Sequence, residues 1–251
     1  MMNEHTLHKT LDIRRGITAV IGSGGKTTLL RELSRELSSR GTVILTTSTH
    51  IRPFPDLPCL SSFSPDLAEN EAVIRSRLSG SPVLCVGTPV KEGKLSAPPV
   101  PFERIARLAD YILTEADGSR GLPVKAHRDG EPVIPKGAAR TILIAGFTGF
   151  GKTVRNAVHV PERFCALTGA GEQDLLTPEL CAEAIQKEQL TDTIVLNQAD
   201  ALWDPDNAVR TETLSLCRRF AENTDIPVYA GSLREHLLIR IDAGTNQTQN
   251  R

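Results

Sequence analysis

Short, unbroken apolar runs alternate with amphipathic stretches along this chain, a pattern that predicts strands buried on both faces between covering helices. Ile17-Thr-Ala-Val-Ile21 is the first such run. Behind a glycine-rich turn, residues 28–39 place Leu29, Leu30, Leu33 and Leu37 on one helical face and Glu32 and Glu36 on the other, with Gly41 suited to end the helix. Further strands are expected at 42–46, 82–86, 110–114, 141–145, 192–196 and 226–230, and further helices at 66–78, 178–187 and 207–220. Residues 87–94 suit a small hairpin, and Pro123, Pro132 and Pro135 mark an irregular stretch. The order predicts a three-layer α/β fold like that of the P-loop NTPases, with a mostly parallel central sheet and helices on both faces. Ligands of such folds gather at the carboxyl ends of the strands, which is where the chemistry is sought.

Composition narrows the class. A hydrophobic content of 39% is enough to build a core, and 251 residues suit one nucleotide-binding domain over 1–242, with a polar, disordered tail from 243. The net charge of -1 offers no surplus to displace counterions from nucleic acid. One Trp and two Tyr leave little for base stacking. The first fifteen residues lack the apolar run of a secretory signal, and every other apolar run is strand-length, so a cytoplasmic protein without a membrane partner is expected. Five scattered cysteines with no C-x-x-C pair predict buried or half-buried thiols, not a disulfide framework or zinc knuckle.

The turn after the first strand reads Gly22, Ser23, Gly24, Gly25, Lys26, Thr27, Thr28. Glycines let successive amides converge on phosphate oxygens, and the helix N-terminus adds partial positive charge. Lys26 is the candidate for the β/γ-phosphates, and the Thr27 hydroxyl for Mg²⁺. The full pattern would place glycine where Val20 stands, so the loop is shortened, as in the Mur-type ligases this segment resembles. Gly146-Phe-Thr-Gly-Phe-Gly-Lys152-Thr153 satisfies the full pattern letter for letter. Two phenylalanines crowd that turn, however, and the valine-rich stretch after it stops at Pro161, a poor helix for the purpose.

Glu115 and Asp117 follow the strand at 110–114, lie on the same side of an extended chain, and are the catalytic and metal-positioning carboxylates. The choice between them as partner of Thr27 at the metal stays open, and Asp117 is taken as the metal residue. Arg120 is the nearest arginine for transition-state charge. The hydroxyl-rich run Thr46-Thr-Ser-Thr-His50 could meet metal or phosphate, or be structural. Lys125, His127 and Glu131 are candidate substrate contacts or proton carriers. His5, His8, His159 and His236 show no ligand-like grouping. Asn197-Gln-Ala-Asp200, after a late strand, resembles the guanine motif N-K-x-D. The Asp200 carboxylate would accept from guanine's N1-H and 2-amino group, while Asn197 would meet N7 or brace the phosphate loop. Gln198 stands where that motif has lysine.

Taken in order, the phosphate loop, Leu45-Thr-Thr-Ser-Thr-His-Ile51, Glu115-Ala-Asp-Gly118, Pro123-Val-Lys-Ala126, Glu131-Pro-Val-Ile-Pro135 and Asn197-Gln-Ala-Asp200 resemble the selenium-dependent molybdenum hydroxylase accessory family, often called YqeC. The resemblance implies a nucleotide-linked role in making or inserting a selenium-containing molybdenum cofactor. The expectation is a Mg²⁺-dependent NTPase using GTP or ATP, with a molybdenum hydroxylase or its maturation proteins as partners. An ATP-dependent small-molecule kinase or ligase, and a non-enzymatic nucleotide-gated chaperone, are the rival readings.

Overall fold

The computed structural model describes residues 6–243. The expected polar tail, apart from Ala243, lies outside the described residues, as does His5. In chain order the elements begin α1 (Leu7–Thr10), β1 (Gly16–Gly22), α2 (Lys26–Leu37), β2 (Val43–Thr47), β3 (His50–Ile51), β4 (Cys59–Leu60), α3 (Leu67–Gly80) and β5 (Val83–Val86). They continue with β6 (Thr88–Val90), β7 (Lys94–Ser96), α4 (Phe102–Ile105), β8 (Tyr111–Glu115), β9 (Val124–Lys125), β10 (Ala138–Gly146), α5 (Val154–Ala157) and β11 (Val158–His159). The last are α6 (Pro161–Thr168), α7 (Pro178–Glu188), β12 (Thr193–Asn197), α8 (Asn207–Ala221), β13 (Val228–Ser232) and β14 (Leu237–Ile241).

Nine strands form one sheet in the order β14-β13-β12-β10-β1-β8-β2-β5-β4. All neighbours are parallel except β13 and β14. The alternation of side chains along each strand divides the core into two layers. Val20, Leu45, Leu113, Ile142 and Val195 pack with α1 and α2 on one face. On the other, Ile44, Ile112 and Leu84 meet α3 and α4, while Leu143, Ile194 and Leu196 meet α6, α7 and α8. The molecule is thus a three-layer α/β structure with helices on both faces, as the apolar pattern predicts. The expected hairpin is present, with β6 and β7 antiparallel and β3 added to form a small sheet beside the main one.

Three departures from the sequence reading bear on the packing. The polar N-terminal stretch contains α1, whose Leu7 and Leu11 are buried and whose first amides donate to Glu36 of α2, both at 2.9 Å. His8 and His236 both bond Glu36 at 3.0 Å, so they are packing groups that hold α1 and the β13–β14 turn to α2. Helix α6 begins at Pro161, which fits the first turn because the ring needs no amide partner there. Cys59, expected among buried thiols, is exposed and pairs in register with buried Cys85; all five cysteines are free.

Candidate functional site

The glycine-rich loop crosses from the end of β1, in the centre of the sheet, into α2. Its shape demands glycine. Gly24 and Gly25 hold φ of 89° and 146°; a Cβ on Gly24 would lie 2.7 Å from the Gly146 backbone, and one on Gly25 would collide with the Asn197 amide. Neighbouring strands clamp the loop. The Ser23 amide donates to the Ile144 carbonyl at 2.7 Å, and its hydroxyl donates to the Leu122 carbonyl. Ser23 is therefore a structural group whose hydroxyl faces inward. No side chain caps the N-terminus of α2, which leaves its first-turn amides open to an anion.

Lys26 lies against this loop and is almost fully buried. Its Nζ donates to the Gly22 carbonyl at 2.5 Å and to Ser119 Oγ at 3.2 Å, and it lies 3.0 Å from Asp117 Oδ1 and 3.9 Å from Glu115 Oε1. Thr27 beside it is exposed, and Thr28 is half-buried.

The two carboxylates at and just after the end of β8 occupy different environments. Asp117 is wholly buried: its Oδ2 accepts the Gly22 amide at 2.8 Å, meets His127 Nε2 at 2.8 Å, and lies 3.5 Å from Lys125 Nζ. Burial opposes its charge, but His127, Lys26 and Lys125 outweigh that and hold its carboxyl below the usual range. Glu115 lines a cavity together with Thr27. Burial, countered in part by Lys26, pushes its carboxyl up to about 7, and one of its oxygens has no hydrogen-bond partner. Because Glu115 borders the cavity with Lys26 3.9 Å away, it is the carboxylate free to take a new partner, and Asp117, 3.0 Å from Lys26 and bonded to Gly22, is the one committed to the loop.

His127 and Lys125, read from sequence as substrate contacts or proton carriers, are buried behind Asp117. His127 lies between two carboxylates, with Nδ1 2.7 Å from Glu188 and Nε2 2.8 Å from Asp117, so both nitrogens donate. Burial opposes protonation of the ring, but Asp117 and Glu188 overcome it and raise the pKa. Lys125 donates to the Gly118 carbonyl at 2.7 Å and meets Glu131 at 2.8 Å. Glu188 was missed from the sequence; it sits 61 residues from His127, and nothing local marks it. In the hydroxyl-rich run, Thr46 and Thr47 are buried and donate to the carbonyls of Val86 and Glu115, and Ser48 donates to Val133. These hydroxyls brace the sheet edge, and only His50 of that run reaches the large cavity.

Across the loop, at the end of β12, Asn197 donates to the Gly24 carbonyl at 2.7 Å and accepts the Leu233 amide at 2.9 Å. Asn197 therefore braces the glycine loop against the turn after β13. Asp200 is exposed. Gln198 accepts from Thr148 at 2.8 Å. The rival loop at 146–153 forms a single turn followed by the four residues of α5, and Phe147 and Phe150 pack edge to face with ring centroids 5.2 Å apart. That helix is too short to present an anion site.

The residues present suit a hard divalent ion. Mg²⁺ is usually held by one or two protein oxygens plus phosphate and water, and Thr27 with Glu115 supplies a hydroxyl and a carboxylate on one cavity wall. Among the described residues no three His, Cys, Asp or Glu side chains cluster as a metal site built from protein alone.

This is a three-layer α/β protein with a glycine-rich turn at the carboxyl edge of a mostly parallel sheet. The family model described as YqeC protein matches residues 18–162. A protein of Escherichia coli (strain K12), described as uncharacterized protein YqeC, is 32% identical over 190 residues, which cover 73% of this chain and 68% of that relative. The chain belongs to the YqeC family. No solved structure is significantly similar to it. Among the described residues no helix is long and apolar enough to cross a membrane.

Proposed function

We propose that this protein binds and hydrolyses a nucleoside triphosphate with Mg²⁺, and that it does so in the cytoplasm during maturation of selenium-dependent molybdenum hydroxylases. Membership of the YqeC family fits the maturation role. The observation that carries the nucleotide reading is the position of Lys26: a buried ammonium at the mouth of a positive-φ glycine loop, beside uncapped helix amides, with exposed Thr27 next to it and Glu115, one oxygen of which has no hydrogen-bond partner.

In this reading the amides of the loop and Lys26 hold the β- and γ-phosphates, and Thr27 and Glu115 hold the metal. The ion would neutralise charge on the phosphates. Asp117 fixes Lys26 and the Gly22 amide, and so shapes the cradle without meeting the nucleotide. With the ion bound, Glu115 would be held as the carboxylate, against the burial that pushes its carboxyl up to about 7 without it. Arg120, on the cavity wall, supplies cationic charge at the γ-phosphate side. Asp200 reads guanine, and Asn197 couples the base side to the loop. The partners are an apo-hydroxylase or proteins that build its cofactor.

A second reading, an ATP-dependent kinase or ligase, is favoured by one observation: a cavity of about 990 Å³ opens next to Thr27 and Glu115, far more room than a hydrolytic water needs. Incubation with GTP or ATP and Mg²⁺, followed by phosphate release and mass spectrometry, separates the two. Free phosphate alone supports hydrolysis; a phosphorylated or ligated product supports the second reading.

A further inference from the structure

The sheet order divides the site around β1. Asn197 ends β12 and Asp200 follows it, and β12 lies beyond β10 on one side of β1. Glu115 ends β8, on the other side, and the large cavity extends from Glu115 and Thr27 past the ends of β8 and β2 to the small β3-β7-β6 sheet. A nucleotide whose base lies at Asp200 and whose phosphates lie on the loop therefore points its terminal phosphate into this cavity and leaves the cavity itself unfilled.

The cavity wall is cationic although the whole chain has a net charge of -1. Arg52 and Lys91 come from the small sheet, and Arg120 and Arg128 from the loops opposite. Among the described residues Arg52, Lys91 and Arg120 have no carboxylate within 4.0 Å, while Arg128 meets only Glu162, at 3.5 Å between two exposed side chains. Two acidic groups on the wall are already neutralised, Glu92 by Lys94 and Glu131 by Lys125, each at 2.8 Å. Burial first, and then the nearby charges of Lys125, Arg128 and Arg120, hold the pKa of His159 on the same wall below the ordinary value. Ile51 and Val90 add an apolar patch on the small-sheet side.

These four cations are exposed and screened by water, and an anion bound among them in the cavity would relieve their mutual repulsion. Guanidinium forks and an ammonium suit a phosphate group in particular. We propose that this cavity binds a second substrate, a small phosphate ester with a partly apolar body, held by Arg52, Lys91 and Arg128 so that it faces the terminal phosphate of the nucleotide. The proposal deepens the nucleotide reading and rests on it, since the loop defines which end of the cavity faces the triphosphate.

The test uses the full chain and inorganic phosphate and pyrophosphate as probes, followed by isothermal titration calorimetry. Wild type is titrated nucleotide-free and again after saturation with Mg²⁺ and a β,γ-imido triphosphate. The same titrations are run on Arg52→Ala/Lys91→Ala and on Lys26→Ala. We expect nucleotide-saturated wild type to bind a probe, and the double variant to bind it about tenfold or more weakly while nucleotide affinity is unchanged. In Lys26→Ala the probe site should persist. Unchanged probe affinity in the double variant overturns the proposal, as does a loss of nucleotide affinity there, which would assign these cations to the triphosphate itself. If wild type binds no nucleotide, the loop reading fails; a probe site in nucleotide-free protein that vanishes in the double variant would still support the cavity.

Discussion

Asp117 accepts the amide of Gly22 at 2.8 Å, so the carboxylate that follows β8 is tied to the first residue of the glycine loop, 95 positions earlier in the chain. The same side chain pairs with Lys26, and His127 and Lys125 surround it. The loop's shape and the seat of its lysine therefore depend on one buried charge.

This separates two carboxylates that look equivalent in sequence. Asp117→Asn should destabilise the fold by about 3 kcal/mol, because it leaves Lys26, Lys125 and His127 as buried cations short of a counter-charge. Glu115→Gln should change stability by no more than about 1 kcal/mol at neutral pH, yet lower Mg²⁺-dependent turnover by about a hundredfold. Urea denaturation and phosphate release measure the two effects. Equal loss of stability in both variants would contradict the division of roles.

A pH dependence follows from the same pair. The Glu115 carboxyl titrates near 7 in the folded protein against an ordinary value of 4.5, so its contribution to stability is fully present below 4.5 and is lost as pH rises through about 7. The raised pKa of His127 acts in the same direction above the ordinary 6.5, whereas the lowered pKa of Asp117 gives stability that is lost on acidification below 3.8. Between about pH 5 and about pH 8 wild type should lose more stability than Glu115→Gln. Mg²⁺-nucleotide affinity should rise over the same range in wild type and vary less in the variant. A parallel pH course for the two proteins would remove Glu115 from the account.

Much of the frame is legible in sequence because continuous apolar runs leave few alternatives. β1, β8, β10 and β12 are buried along most or all of their length, and each lies within about three residues of its expected bounds. The loop is readable for the same local reason, a strand followed by glycines followed by an amphipathic helix. Other features depend on distant partners. α1 is hidden among polar residues and is stabilised by Glu36 of α2, and β14 exists only as an antiparallel partner of β13. His127 looks like a loop histidine until Glu188 and Asp117 close on its two nitrogens. The letter-perfect second motif fails because a pattern of glycine and lysine does not encode the length of the helix behind it.

The bracing role of Asn197 gives a third expectation. Asn197→Ala removes the bonds to Gly24 and Leu233 and should weaken GTP and ATP alike, by about tenfold, with a stability cost of about 1 to 2 kcal/mol. Asp200→Asn should weaken GTP and leave ATP unchanged. Fluorescence titration with labelled nucleotides distinguishes them; an unchanged GTP preference in Asp200→Asn would end the guanine assignment.

Gly25→Ala tests the cradle without touching a charge. Its φ of 146° and the collision with Asn197 predict a destabilised loop and a loss of nucleotide affinity of about a hundredfold or more. Gly151→Ala, in the rival loop where the added methyl meets open space, should leave affinity unchanged despite its own positive φ. Equal affinity in the two variants would contradict the placement of the cradle.

The central claim is that the Lys26 ammonium and the amides at the start of α2 grip a triphosphate. Equilibrium binding of GTP and ATP with Mg²⁺ to wild type, Lys26→Ala and Lys152→Ala, each checked for intact secondary structure by circular dichroism, addresses it directly. The account predicts wild-type affinity in Lys152→Ala and a loss of about a hundredfold or more in Lys26→Ala. Full affinity in a folded Lys26→Ala protein, or loss only in Lys152→Ala, would contradict it.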